Sequence, residues 1–470
     1  MSGTNYNNKP KVVLVYPPSD KGRYEHHFLR TPKVGVGYLA SSLEKEGIPC
    51  SILDAKFDGL SSEEVCKTLI QERPDVIGIS ALTPEIQRAA SLAAKIKEHL
   101  PETLIVVGGV HAMILPKKTL EENPAFDALV TGEGELVLPQ IIRVFRERQS
   151  FEHLHGVAFR RDGEVQVNPR TEYIKDLDAL PFPAWDKYSR SSHLYCIISS
   201  RGCPYNCAFC MTIMGKKVRA RSVENVVDEM EWIVNKFGPR EIVFSDETFT
   251  MDLNRTDEFL EEILARGLER KIKWAAQTRV DRINYELLTK LRRAGCYRIE
   301  FGVESGNREI LKRINKKISL EQVEKAVALA KKASMIVGCT FILGHPYETR
   351  KTIQDTIDLI VKLNPNTVGV GIMVPYPGTQ VYEIARRGEG NYRLLSSGWN
   401  DYLRFAGGGL EMQDISRHEL ERLQLKAYLS FYLKNYRFWD LLSYWWGHRQ
   451  QAAAVLRKLL QAGNSKAVAC

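Results

Sequence analysis

Val12, Val13, Leu14, Val15 and Tyr16 form an unbroken apolar run, and four further short runs rich in β-branched and aliphatic residues follow at 50–54, 76–80, 104–107 and 128–130. A strand apolar on both faces belongs inside a sheet that is covered on both sides. Between these runs, apolar residues recur every three or four positions over 37–45, 62–71, 85–99 and 135–148. That spacing predicts helices with one buried face. Strands and helices in this rhythm predict an α/β, doubly wound (Rossmann-like) domain over residues 1–150. Its ligand should lie beyond the carboxyl ends of the strands.

Residues 151–190 read as a connector. GVAFRRDGEVQV predicts a hairpin turning at Asp162-Gly163, and the proline-bearing DLDALPFPAWDKY follows it. Over 191–380 the alternation resumes, with strands expected at 195–199, 241–245, 273–277, 298–303, 337–343 and 368–375. Six strands with intervening helices predict a partial (β/α)6 barrel. Residues 381–470 read as a helical C-terminal region, whose aromatic stretch FYLKNYRFWDLLSYWW is expected to pack over the barrel mouth.

Composition narrows the class. A chain of 470 residues exceeds one ordinary core. Its 44% hydrophobic and 26% charged content is that of a soluble globular protein, and no run of about 18 apolar residues could span a bilayer. The start, MSGTNYNNKPK, leads into a strand without a basic segment, a hydrophobic stretch or a cleavage site, which predicts a cytoplasmic protein. The net charge of +9 is spread over Lys and Arg interleaved with Asp and Glu, so a solvated surface and no nucleic-acid partner are expected. Nine cysteines lie thinly along the chain except in one cluster, the pattern of a reduced protein with one metal site.

That cluster is Cys203-Pro-Tyr-Asn-Cys207-Ala-Phe-Cys210, reached from the strand at 195–199 through Ser200-Arg-Gly. Three thiolates in one loop hold three irons of a cubane and leave the fourth open to an outside ligand. Structural zinc would want a fourth protein ligand, for which Cys196 and His193 are the nearby candidates. Cys196 lies inside a predicted strand and reads more simply as core. The C-x3-C-x2-C spacing at a strand end of a βα domain resembles the radical S-adenosylmethionine (SAM) superfamily.

The resemblance implies a 4Fe-4S cluster on Cys203, Cys207 and Cys210, SAM chelated to the open iron, and its reductive cleavage to a 5′-deoxyadenosyl radical. It places Phe209 near the adenine. Asp246-Glu247-Thr248 resembles the segment that holds the SAM amino group, while Gln277-Thr-Arg279, Phe301-Gly-Val-Glu304-Ser and Phe341-Ile-Leu-Gly344-His-Pro resemble later strand-end motifs. Glu304 takes the position that meets the ribose hydroxyls, for which a carboxylate is a suitable acceptor. Singly, a strand-end acid reads as a helix cap or surface charge; their order after the cysteine loop joins them.

In the N-terminal half, Asp54-Ala-Lys56-Phe-Asp-Gly59 follows the second strand, Ser80-Ala-Leu-Thr83 the third, Gly108-Gly109-Val-His111 the fourth and Gly132-Glu133-Gly-Glu the fifth. Glycines at strand ends admit a wide ligand to the backbone, and hydroxyls meet its polar rim. The arrangement resembles the cobalamin-binding domain ahead of many radical SAM cores. Asp54 and Gly59 match the ends of its lower-ligand motif D-x-H-x-x-G, but Lys56 stands in the histidine's place. An ammonium has no lone pair for cobalt, so the resemblance implies cobalamin without an imidazole from this position. A domain that no longer binds the cofactor stays open. His111 reads either as a replacement ligand or as a hydrogen-bonding residue.

Two activities are implied. One is cobalamin-dependent methylation of an unactivated carbon or phosphorus; the other is oxidative cyclisation or hydroxylation, as in the anaerobic magnesium-protoporphyrin monomethyl ester cyclase. The balance lies with methylation. A non-catalytic corrinoid or iron-sulfur carrier is the third reading, and it has no use for the SAM-like motifs. The implied partners are a small-molecule substrate, for which a large hydrophobic one is compatible, and a reducing protein such as flavodoxin or ferredoxin.

Overall fold

Every residue of strand β1 (Val12–Tyr16) is buried, and its side chains divide between two cores. Val12, Leu14 and Tyr16 pack with Val36, Leu43, Val137 and Ile141, whereas Val13 and Val15 pack with Val65, Leu69, Ala89 and Leu92. Period-two alternation with both faces apolar places β1 in mid-sheet. The computed structural model describes residues 10–18, 31–395, 398–403 and 408–447. Around β1 stand β2 (Cys50–Asp54), β3 (Val76–Ser80), β4 (Leu104–Gly108) and β5 (Ala128–Val130), all parallel, in the order β2-β1-β3-β4-β5. This is the doubly wound order whose topological switch lies between β1 and β3.

The hairpin expected as a connector belongs to this sheet. Its strands β6 (Val157–Arg161) and β7 (Glu164–Val167) add antiparallel to β5, making seven strands. Val157, Ala158 and Phe159 are buried there, and the pairing covers an edge that β5 would otherwise expose.

The second sheet holds six parallel strands in the order β15-β14-β13-β12-β11-β8, an open (β/α)6 arc. They are β8 (Leu194–Ile197), β11 (Glu241–Phe244), β12 (Lys273–Thr278), β13 (Cys296–Glu304), β14 (Ile336–Leu343) and β15 (Thr367–Ile372). After β8, the short strands β9 (Ser200–Arg201) and β10 (Arg219–Ala220) pair antiparallel and carry the cysteine loop between them. Helix Arg417–Lys434 covers β15: Gln424 Nε2 donates to the Val370 carbonyl, and the Val370 amide donates to the Tyr428 hydroxyl.

The aromatic C-terminal stretch does not lie over the mouth. Tyr436, in the left-handed region at φ 56°, interrupts the chain between helix Arg417–Lys434 and helix Phe438–Gly447. Arg437 then fastens the turn to the carbonyls of Pro365 and Asn366, which precede β15 and so lie at the amino end of the barrel. Trp439 is 83% exposed there. Residues 448–470 of the expected helical region lie outside the described residues. Among the described residues no helix is long and apolar enough to cross a membrane. The segments beyond the carboxyl ends of the two sheets meet: Val374, Trp399 and Tyr402 join the N-terminal core.

Candidate functional site

The cysteine loop is held in shape before any ligand is considered. Gly202 has φ 97°, and a Cβ there would come within 2.4 Å of the Lys217 carbonyl oxygen, so only glycine fits. The Cys203 amide donates to Gly215 at 3.1 Å, and the Cys210 amide to Cys207 at 3.0 Å. Ala208 links the loop to the barrel, donating to the Ile314 carbonyl and accepting from the Val381 amide. Lys216 Nζ donates to the Tyr205 carbonyl, Asn206 Oδ1 and Thr212 Oγ1. The Tyr205 ring lies 3.6 Å beneath the Arg279 guanidinium, and its hydroxyl accepts from Arg282 Nε at 2.9 Å.

Cys203 and Cys207 are half-buried, while Cys210 reaches the surface. The Cys210 thiol still has protein on most sides: burial first, then the charges of Cys207 and Cys203, push it up to about 11. Burial also raises Cys207, against which Lys316 and Arg279 act. The three sulfurs are thus electrostatic neighbours with cations beside them, a donor set that fits a metal cluster able to draw off their protons. Among the described residues no three His, Cys, Asp or Glu side chains converge as a single ion would require. Thiolates on three corners of a cube need not converge.

The later strand ends supply a wall. A register shift in the β13–β14 pairing between Gly302 and Glu304 marks a bulge, and Glu304 sits beyond it at φ 73°. Its Oε1 accepts from Lys316 Nζ at 2.9 Å. Its carbonyl lies 3.3 Å from His345 Nε2. Phe209 stands against the same group, 5.9 Å from the His345 ring and 5.9 Å from Lys316 Nζ. Burial lowers His345 to about 4, so the imidazole is neutral, and its Nδ1 has no hydrogen-bond partner among the described residues. Gly344, at φ 85°, turns the backbone so that its amide and that of His345 donate to Glu348. Burial raises that carboxyl to about 8 against these two bonds.

Other expected contacts hold the scaffold. Asp246 is fully buried and accepts from the Ser199 and Ser200 amides and hydroxyls, which fixes the approach to the cysteine loop. Gln277 Nε2 donates to the Asp246 carbonyl at 2.9 Å. Arg279 forks onto Asp281 and reaches the Lys316 and Lys317 carbonyls. Glu247 opens into the site, with the Gly202 amide and the Cys210 thiol among its neighbours.

On the N-terminal sheet, Asp54 caps helix Ala55–Asp58 by accepting from Phe57 and also accepts from the Lys33 amide. Burial raises its carboxyl to about 6. Gly59 ends that helix at φ 74°. Lys56 Nζ lies 3.3 Å from Glu85 Oε1, and Glu85 Oε2 accepts from the Tyr16 hydroxyl at 2.8 Å and the Leu82 amide at 3.1 Å. This network spans the ends of β1 and β3 at the switch point. Gly109, at φ 99°, passes so close to the loop after β3 that a Cβ would meet the Ala81 carbonyl at 2.5 Å. Ser80 ends β3, and Gly108 beside it ends β4. Thr83 Oγ1 lies 3.3 Å from His111 Nδ1. Burial lowers His111 to about 4, and its Nε2, like Thr131 Oγ1, is buried without a hydrogen-bond partner among the described residues. An orphaned imidazole nitrogen just after Gly108 and Gly109 fits a flat ligand with a polar rim.

Gly132 and Glu133 stand apart from that row. A Cβ on Gly132 would meet Thr171 Oγ1 at 2.5 Å, and Glu133 faces Arg201 and Arg219 at the stem of the cysteine loop. These arginines, Lys316 and His345 were not singled out from sequence. Arg201, two residues before Cys203, and His345, directly after Gly344, were the available signals.

Residues 197–360 match the radical SAM superfamily, and residues 28–142 match the B12 binding domain. The chain is 32% identical to an uncharacterised methyltransferase of Pyrococcus horikoshii over 90% of this chain and 93% of that protein. It is 28% identical to the anaerobic magnesium-protoporphyrin IX monomethyl ester cyclase of Cereibacter sphaeroides, over 96% of this chain and 75% of the cyclase. Its fold is similar to that of the radical SAM methyltransferase TsrM of Kitasatospora setae, solved with cobalamin and a 4Fe-4S cluster bound. The TM-score is 0.70 at 17% identity, with 91% of this chain and 89% of that one covered.

Proposed function

This chain belongs to the radical SAM superfamily, in the group that carries a B12-binding domain ahead of the radical SAM domain, and on that premise we propose that it methylates an unactivated carbon or phosphorus centre of a small molecule. The observation that carries this reading is the near end-to-end similarity to a methyltransferase. The protein is an enzyme whose cofactors are a 4Fe-4S cluster, SAM and cobalamin. When bound, the cluster and SAM supply a 5′-deoxyadenosyl radical that removes a substrate hydrogen, and the corrinoid supplies a carrier for the methyl group.

In this reading Cys203, Cys207 and Cys210 hold the cluster, and Lys316 and Arg279 offset thiolate charge beside Cys207. Glu304 accepts from the SAM ribose, Phe209 and His345 flank the adenine side, and Glu247 lies nearest the amino group. Ser80, Thr83, Gly108, Gly109 and His111 border the corrinoid. Lys56, in the histidine's place of the D-x-H-x-x-G motif, is turned to Glu85 and brings no imidazole to the corrinoid. A reducing protein such as flavodoxin or ferredoxin supplies electrons, in the reducing cytoplasm. The similarity to the cyclase supports oxidative ring closure as the second reading.

The test is anaerobic reconstitution with iron, sulfide and cobalamin, followed by methyl-labelled SAM and host extract. Label in a product together with 5′-deoxyadenosine supports methylation; 5′-deoxyadenosine with an oxidised, unlabelled product supports the cyclase reading. The triple variant Cys203→Ala, Cys207→Ala, Cys210→Ala should lose the cluster and all SAM cleavage. A colourless, redox-silent metal in the native protein would instead indicate zinc.

A further inference from the structure

β9 and β10 are the two stems of the cysteine loop, and their pairing sets Arg201 directly opposite Arg219. Two like charges at facing positions of an antiparallel pair repel. Both side chains are buried, which makes the repulsion costlier. The counter-charge comes from the other half of the molecule. Glu133, in the loop after β5, accepts from Arg201 Nη1 at 2.7 Å, from Arg219 Nη1 at 2.9 Å and from the Ile174 amide at 2.7 Å. Arg201 forks further, with Nη2 donating to Glu135 at 2.7 Å, and its guanidinium lies over Tyr38. Arg219 donates to the carbonyls of Ile174 and Met214, and Glu133 is its carboxylate partner.

We propose that Glu133 is the positioning residue that sets where the cysteine loop stands relative to the N-terminal sheet. One carboxylate of that sheet holds both ends of the segment 202–218 that bears Cys203, Cys207 and Cys210. The separation between the thiols and the carboxyl face of β3 and β4 is therefore tied to this side chain at both stems of the loop. Its catalytic consequence rests on the methylation reading, which puts the cluster on one side of this junction and the corrinoid on the other.

Glu133→Gln tests it on the full chain. A carboxamide keeps one acceptor oxygen and turns N–H donors toward arginines that are themselves donors, so the two stems cannot both be satisfied. In the cofactor-free protein, hydrogen exchange across 202–218 should accelerate at least about tenfold while β1, β3 and β4 stay unchanged, as expected for loss of charge-assisted bonds. After reconstitution, the reduced cluster's electron paramagnetic resonance spectrum should broaden or split into two sets of g values. Glu133→Asp, which keeps both oxygens, should restore one set. The ratio of 5′-deoxyadenosine to methylated product should rise.

Unchanged exchange in 202–218, a uniform rise across the whole chain, or a cluster spectrum identical to wild type would overturn the proposal. If Glu133→Gln does not fold, Arg219→Lys replaces it: lysine keeps the charge but loses the fork, so faster exchange of the same segment supports the proposal and unchanged exchange overturns it. A wild-type protein that cleaves no SAM would remove the methylation reading and leave the exchange result to decide on Glu133.

Discussion

The imidazole of His111 stands edge-on to the indole of Trp399, with ring centroids 4.8 Å apart and planes at 69°. Trp399 Nε1 donates to Glu122 at 2.9 Å, and the Lys118 ammonium lies 4.8 Å over the indole. A residue beyond the barrel thus closes over the carboxyl end of β4.

Trp399→Ala should destabilise the protein by about 3–5 kcal/mol, the usual loss on emptying a buried aromatic site. Trp399→Phe keeps a ring against His111 and loses the bond to Glu122, for about 1 kcal/mol. Chemical denaturation reads both. A Trp399→Ala midpoint no lower than that of a surface variant would mean that the indole does not join the two halves.

Acid should destabilise the fold through two histidines. Burial lowers both His111 and His345 to about 4, against about 6.5 in an unfolded chain. Between those values the unfolded chain binds more protons, so stability present above about pH 6.5 is lost as pH falls toward 4. The loss is on the order of 3 kcal/mol at most for each. A double variant, His111→Gln with His345→Gln, should show a flatter acid limb; an unchanged limb would place the effect elsewhere.

Glu348 acts in the opposite direction. Its carboxyl, raised to about 8 by burial, stays protonated in the fold after the unfolded chain has released the proton. Stability present below about pH 4.5 is therefore lost as pH rises toward 8. Glu348→Gln keeps an acceptor for the Gly344 and His345 amides, and should gain roughly 2–4 kcal/mol over the parent at pH 8 relative to pH 5. Parallel stability curves would contradict this.

Glu304→Ala should weaken SAM binding about tenfold while leaving the iron content unchanged, because it removes an acceptor from the wall beside Phe209. Glu304→Gln separates the loss of the charge paired with Lys316 from the loss of the acceptor. Equilibrium binding of SAM to reconstituted protein is the measurement, and unchanged affinity would remove Glu304 from the site.

With Lys56 paired to Glu85, cobalamin in the N-terminal domain should receive no nitrogen from that position. Lys56→Ala should therefore leave any axial nitrogen splitting in the Co(II) electron paramagnetic resonance spectrum unchanged. Splitting that disappears in His111→Gln would show that an imidazole from β4's end had taken the lower face instead.

The strands were legible because each carries its own apolar alternation: β1, β2, β3 and β5 begin and end where the pattern predicts. The hairpin β6–β7 was visible as a hairpin, but its place in the first sheet depends on β5 needing an edge partner, which no local pattern records. That Cys203, Cys207 and Cys210 share one loop was legible from their spacing, and the structure sets that loop between β9 and β10. Asp246 and Glu133 have the same residue type and strand-end position as a ligand contact, yet one turns inward to Ser199 and Ser200 and the other crosses to Arg201. Their partners lie tens of residues away, and sequence order does not encode that proximity. The aromatic stretch was misplaced because its break depends on one left-handed residue, Tyr436.

The tie between Glu133 and the stems of the cysteine loop also joins an early part of the chain to a later one. Glu133 leaves the ribosome before Arg201 and Arg219, which lie 68 and 86 residues further on, so the sheet that presents it can close while the barrel is still being synthesised. Arg201 and Arg219 then meet a carboxylate already in place, instead of facing one another unneutralised. Cys203, Cys207 and Cys210, which lie between those stems, are therefore synthesised after all five parallel strands of the sheet that presents Glu133.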